Sequence, residues 1–130
     1  MELISKKITV QKSAKELCDF FCDVKNFENL MPENISKFEV INEKSFLFAL
    51  KGMPEISLEI KEINIPNQVI LGAIDNKIPF TLISNIESID NTKSKVEFKF
   101  QGDFNPMMAM MIKGPITKFL ETLAINLEQS

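Results

Sequence analysis

Cys18 and Cys22 are the first pair to ask chemistry of, because two thiolates one helical turn apart can share a metal ion. The chain contains no histidine and no second cysteine pair that could complete a ligand set. One turn of helix is also a poor geometry for a disulfide. The two residues are therefore expected as buried, reduced thiols that fill space. Histidine, tyrosine, arginine and tryptophan are all missing, and with them the usual general acids, oxyanion donors and anion clamps. Acid–base work would fall to a carboxylate, a lysine or a cysteine. Most Asp and Glu occupy outward strand positions or helix flanks, where they read as a solvated face. No G-x-S-x-G, P-loop or G-x-G-x-x-G run is present. No catalytic residue, metal ligand or cofactor is assigned from the sequence.

Three other features could serve a binding site. Ser84 is a hydroxyl in an otherwise apolar row. It is either a small core residue bonded to local backbone or a polar anchor for a ligand head group. Asp75 and Lys77 flank a turn and are read as turn chemistry near a possible cavity mouth. The methionines are the most informative: Met107, Met108, Met110 and Met111 crowd one turn, and Met31 and Met53 lie in loops that could approach the same end. Methionine fills irregular space and adapts to varied partners. Met107 and Met110 are expected to point away from the main stripe, toward the short helices, a ligand or another subunit.

The elements that must hold these residues follow from periodicity. Glu2 to Val10 alternates loosely and is read as one strand. Ser13-Ala-Lys-Glu16 is a capping box opening a short helix that ends near Asp23. Asn26 to Met31 forms a second short helix, stopped by Pro32. The period then switches to two. Strands are expected at 35–41, 45–50, 55–65, 68–74, 78–89 and 94–104, separated by polar or proline turns. On the last strand Val96, Phe98, Phe100 and Phe104 alternate with Lys95, Glu97, Lys99, Gln101 and Asp103. This alternation marks an antiparallel sheet with one wet face and one buried face. Asn105-Pro106 opens a long final helix, capped by the asparagine and begun by proline. Its apolar stripe is read as Met108, Met111, Ile112, Pro115, Ile116, Phe119, Leu120, Leu123 and Leu127. At ~1.5 Å per residue the helix is roughly as long as the last strands, so it can lie along the sheet. Gly114-Pro115 flaws it, and is read as a hinge that bends the helix over the concave face and frees a carbonyl there.

The 130 residues are expected to form one domain. A net charge of −3 with every positive charge on lysine argues against a nucleic-acid partner. Met1 to Val10 is charged and alternating, unlike a secretory leader, and the final helix is too polar on its outer face to span a membrane. With the reduced cysteines, this predicts a cytoplasmic protein; the oligomeric state is left open.

The order of elements resembles the SRPBCC superfamily, the START-like or helix-grip domains. The resemblance runs the length of the chain. Its local signals are Ser13-Ala-Lys-Glu16 before Leu17-Cys-Asp-Phe-Phe21, Asp23-Val-Lys-Asn-Phe27, Leu30-Met-Pro32 and the Gly102-Asp-Phe-Asn-Pro106 entry to the last helix. It is similar to the small uncharacterised bacterial members of that group. The resemblance implies an α+β helix-grip fold: a curved antiparallel sheet of about seven strands gripping the long C-terminal helix, with two short helices after the first strand. It also implies a cavity that often holds an apolar ligand. In this sequence the walls would be Met108, Met111, Ile112, Pro115 and Phe119 from the helix, and Phe80, Leu82, Ser84, Phe98 and Phe100 from the sheet. Phe46, Phe48, Leu58 and Met53 would close one side. The alternative is a solid core filled by the phenylalanines. The leading expectation is a carrier or sensor of a small hydrophobic molecule such as a lipid or polyketide-like compound. A cyclase- or hydrolase-like enzyme and a protein-interaction module using the Met107–Met111 turn are the alternatives. Fold alone does not choose among them.

Overall fold

The alternation of the second half of the chain is realised in a computed structural model that describes residues 1–53, 55–74 and 80–129. Strands β1 (Glu2–Ile4) and β2 (Ile8–Val10) precede helix α1 (Ala14–Cys22) and a 3₁₀ helix (Val24–Leu30). Strands β3 (Ile35–Asn42), β4 (Ser45–Leu50), β5 (Ile56–Asn64), β6 (Gln68–Ala73), β7 (Phe80–Ser88) and β8 (Ser94–Gly102) follow, and helix α2 (Pro106–Gln129) ends the fold. All the pairings are antiparallel. The sheet order is β1-β8-β7-β6-β5-β4-β3, with β2 continuing alongside β8.

The single first strand expected over Glu2–Val10 is in fact two, which raises the strand count to eight. Ile4 pairs with Lys99 but Ile8 pairs with Val96, so one extra residue is accommodated on the edge. Ser5 causes the break. Its amide donates to the Phe98 carbonyl at 2.8 Å, while its hydroxyl oxygen accepts the Phe98 amide at 2.9 Å. A side chain thus takes over a backbone acceptor's role, and the ladder slips by one residue as in a β-bulge.

Helix α1 starts on the expected capping box. The Glu16 amide donates to Ser13 Oγ at 3.2 Å and the Ser13 amide donates to Glu16 Oε1 at 3.3 Å. Ala14, Leu17, Cys18 and Phe21 form its buried face. The second short helix begins earlier than the sequence suggests and is 3₁₀ rather than α. Asp23 ends α1 and also caps the next turn, accepting the Lys25 amide at 3.1 Å. With Pro32 close behind, only seven residues remain for a helix, and the tighter i→i+3 winding uses them.

Helix α2 is capped as expected, with the Met108 amide donating to Asn105 Oδ1 at 2.8 Å. It buries Ile112, Ile116, Phe119, Leu120, Leu123, Ala124 and Leu127, packing along β1, β2 and β8. Each large apolar side chain so buried contributes about 1.5–3 kcal/mol. The far end is pinned to the 3₁₀ helix, where Asn126 Nδ2 donates to the Leu30 carbonyl at 2.9 Å. On the outer face of the sheet the Lys61 stem lies across Gly72, so close that a Cβ there would meet Lys61 Cγ at 2.8 Å.

Candidate functional site

Register decides which side chains face α2. Ser84 pairs with Phe98, Leu82 with Phe100 and Phe80 with Gly102 across β7 and β8. Phe46 pairs with Leu58 and Phe48 with Ile56 across β4 and β5. With a side-chain period of two, these rows form one inner surface. Phe46, Phe48, Leu58, Phe80, Leu82, Ser84, Phe98 and Phe100 are all buried there, as the sequence predicts. From the helix, Ile112 and Phe119 are buried against the same core and Met108 is partly so; Met53 packs on it from the β4–β5 loop.

Two expected wall residues face elsewhere. Met111 is 69% exposed and Pro115 is exposed. The phase of α2 is set by Ile116, Phe119, Leu120, Leu123 and Leu127. At 3.6 residues per turn, Met111 lies roughly 135° and Pro115 roughly 95° from the centre of that stripe. The first half of the helix carries apolar residues on both sides, so the sequence pattern admits a wider stripe than the fold buries. Pro115 is incorporated within α2, where its missing N–H leaves the Met111 carbonyl without the usual helical donor. Met107 and Met110, expected to point away from the stripe, do so and are 74% and 83% exposed. Met31 does not approach them. It follows the 3₁₀ helix at the opposite end of α2, near Asn126. Asp75 and Lys77 lie outside the described residues.

Phenyl rings occupy much of the space between sheet and helix. Phe48 stacks on Phe119 with centroids 5.1 Å apart, and Phe80 stacks on Phe100 at 5.0 Å. Phe27 stacks on Phe46 at 5.2 Å, and Phe21 meets Phe98 edge-on at 5.7 Å. Among the described residues, the buried polar side chains are Ser5, Ser45, Ser84 and Ser94, and none is charged. Ser5 is bonded as described, and Ser94 Oγ donates to the Lys12 carbonyl at 2.9 Å. Ser45 Oγ and Ser84 Oγ are buried without a hydrogen-bond partner. Ser45 alternates with Phe46 and Phe48 and faces the other side of β4. Ser84 alone of the two is an unsatisfied hydroxyl on the inner surface, and the local backbone bond considered for it is not made.

The thiols are free: Cys18 is buried and Cys22 half-buried. Burial, reinforced by the neighbouring Cys22 and Asp19, pushes the Cys18 thiol up to about 11, and burial likewise raises Cys22. Both therefore stand as thiols at neutral pH, the less nucleophilic form. No group of three or more His, Cys, Asp or Glu among the described residues could hold a metal ion. Grooves elsewhere are of mixed polarity. One of about 430 Å³, between the β5–β6 turn and the ends of β7 and β8, is lined by Asn64, Gln68 and Asn85, whose amides already bond one another at 2.9 Å. No described helix is long and apolar enough to cross a membrane.

No model of a protein family matches the sequence, and no curated protein matches it. Solved structures do match in shape. A START superfamily protein from Mycobacterium smegmatis superposes with a TM-score of 0.75 at 14% identity, covering 98% of this chain and 94% of that one. Norcoclaurine synthase from Thalictrum flavum, in complex with dopamine and hydroxybenzaldehyde, gives 0.74 at 11% identity, covering 99% and 86%. A conserved protein from Geobacillus kaustophilus gives 0.70 at 11% identity, covering 99% and 93%. The chain thus has the helix-grip, START-like fold of the SRPBCC group, as the element order predicts. At these identities the likeness concerns fold alone.

Proposed function

We propose that this protein binds and carries a small, largely apolar, uncharged molecule between the concave face of the sheet and α2. The observation that carries this reading is the inner surface itself: apolar rows from β4, β5, β7 and β8 with a single unpartnered hydroxyl, Ser84 Oγ, among them. An ionised head group would find no buried counter-charge among the described residues there, and burying one unpaired is costly. A carbonyl, ether or hydroxyl oxygen would satisfy Ser84. Ile112, Phe119 and the partly buried Met108 form the helix wall, with Phe48, Leu82 and Phe100 opposite. Entry requires the stacked rings to part, and the lightly buried first half of α2 is the element that gives way.

The START-like neighbour and a neighbour solved with two small aromatic molecules support ligand binding as the use of this fold. The same synthase brings an enzymatic reading. Cys18 held as a thiol and an interior without described carboxylates favour carriage over acid–base chemistry. We read the chain as a single binding domain acting in the cytoplasm, with its two cysteines reduced and no nucleic-acid partner. Native mass spectrometry of protein purified under mild conditions, followed by organic extraction, should reveal a co-purifying apolar compound. Protein that is reproducibly ligand-free and also fails to bind an uncharged apolar fluorophore such as N-phenyl-1-naphthylamine would refute carriage.

A further inference from the structure

We propose that the first half of α2 docks on the surface of an anionic lipid bilayer, with Met107, Met110 and Met111 entering the interfacial layer. These three side chains are 74%, 83% and 69% exposed, and they are among the most exposed large apolar groups of the chain. They share the outer side of α2 with Gly114 and Pro115, both also exposed, and nothing lies within 4 Å of where a Gly114 side chain would begin. Among the described residues, no other element covers this face.

Charge selects the occupant. Between Asp103 and Glu121 the only charged residues are Lys113 and Lys118, both exposed, although the whole chain carries a net charge of −3. An apolar helical ridge flanked by lysine and free of carboxylates is the pattern of an interfacial helix on anionic lipid. The lysine stems can lie along the apolar zone while their ammonium groups reach the head groups. A second copy of the chain fits less well. A two-fold contact through this face would set each lysine near its own copy, and five residues from one helix fall far short of the roughly 20–30 per side of a stable interface. A peptide partner would need a groove, whereas this face is a convex ridge that a soft bilayer can accommodate.

Position gives the docking a use. The register of β4 with β5, β5 with β6 and β7 with β8 brings the β4–β5 loop and the ends of β6 and β8 to the same end of the sheet as the start of α2. A bilayer against this helix would meet the end of the grip where α2 is least buried. Docking rests on the exposed face and its charges, so it stands or falls separately from the interior binding proposed above.

The test is sedimentation of the full chain with phosphatidylglycerol vesicles and, separately, with phosphatidylcholine vesicles at millimolar lipid. Wild type should pellet with the anionic vesicles, release at high salt, and stay largely soluble with the zwitterionic ones. Met110→Asp should lower binding by about tenfold or more, and the pair Lys113→Gln/Lys118→Gln by roughly tenfold. Circular dichroism should show both variants folded; Met107→Ser serves as a milder replacement if the aspartate unfolds the chain. Wild type that stays soluble with anionic vesicles overturns the proposal. So does binding that is indifferent to these substitutions. A dimer in analytical ultracentrifugation that Met110→Asp dissociates would assign the face to a second copy instead.

Discussion

Ser84 is a cost to the folded protein and, under the proposed carriage, an anchor for a bound molecule. A buried hydroxyl without a partner forfeits its water hydrogen bonds, a penalty of about 1–3 kcal/mol. Ser84→Ala removes the hydroxyl and leaves a side chain of similar size, so unfolding in urea should show a gain of about 1 kcal/mol. If the hydroxyl anchors a ligand, the same variant should bind an oxygen-bearing apolar probe more weakly while being more stable. Cys18 makes a second prediction at this scale. Its thiol is raised from an ordinary 9.0 to about 11 by burial, so the native state resists ionisation that the unfolded chain permits. The associated stability is fully present below pH 9 and is lost as pH rises through about 11. Unfolding free energies measured from pH 8 to 11 should fall, and Cys18→Ala should flatten part of that fall.

At the scale of elements, α2 contains two residues that weaken it without serving its packing. Gly114 faces open space and Pro115 is exposed, so neither is needed for a close approach to the sheet. Glycine costs about 1 kcal/mol and an interior proline about 3 kcal/mol in a helix. The double variant Gly114→Ala/Pro115→Ala should therefore raise the thermal midpoint, read by circular dichroism, by several degrees. A lower midpoint would mean that the flaw is required to fit the helix to the sheet. The elements were the legible part of the sequence. Strict alternation in Lys95 to Phe100 shows a half-buried strand, and Ser13 with Glu16 marks where α1 begins. The bulge at Ser5 was hidden because its cause is a hydroxyl bonded to Phe98, 93 residues away. The rotation of α2 was hidden because methionine occurs on both its sides. Only the packing of Phe119, Leu120 and Leu123 fixes which side turns inward.

For the molecule as a whole, the interior is apolar and continuous from α1 to α2, so the proposed carriage would require part of that core to open. A ligand that binds only the folded state stabilises it by mass action, about 2.7 kcal/mol at a hundredfold excess over Kd. Sequence could place Phe48, Leu82 and Phe100 on the inner surface, since alternation assigns them inward. It could not show Phe48 stacked on Phe119, because ring positions depend on contacts between distant elements. The unequal anchoring of α2 also has a consequence in time. The part after Pro115 is held by Ile116, Phe119, Leu120, Leu123 and Leu127 and tied to Leu30 by Asn126, whereas the part before it buries Ile112 and only partly buries Met108. One helix should thus contain two kinetic populations of amide hydrogens. Native-state deuterium exchange should be fast from Ala109 to Lys113 and slow from Leu120 to Leu127, the two separated by the proline that has no amide hydrogen to exchange. Uniform protection along α2 would show that the helix opens only as a unit with the sheet.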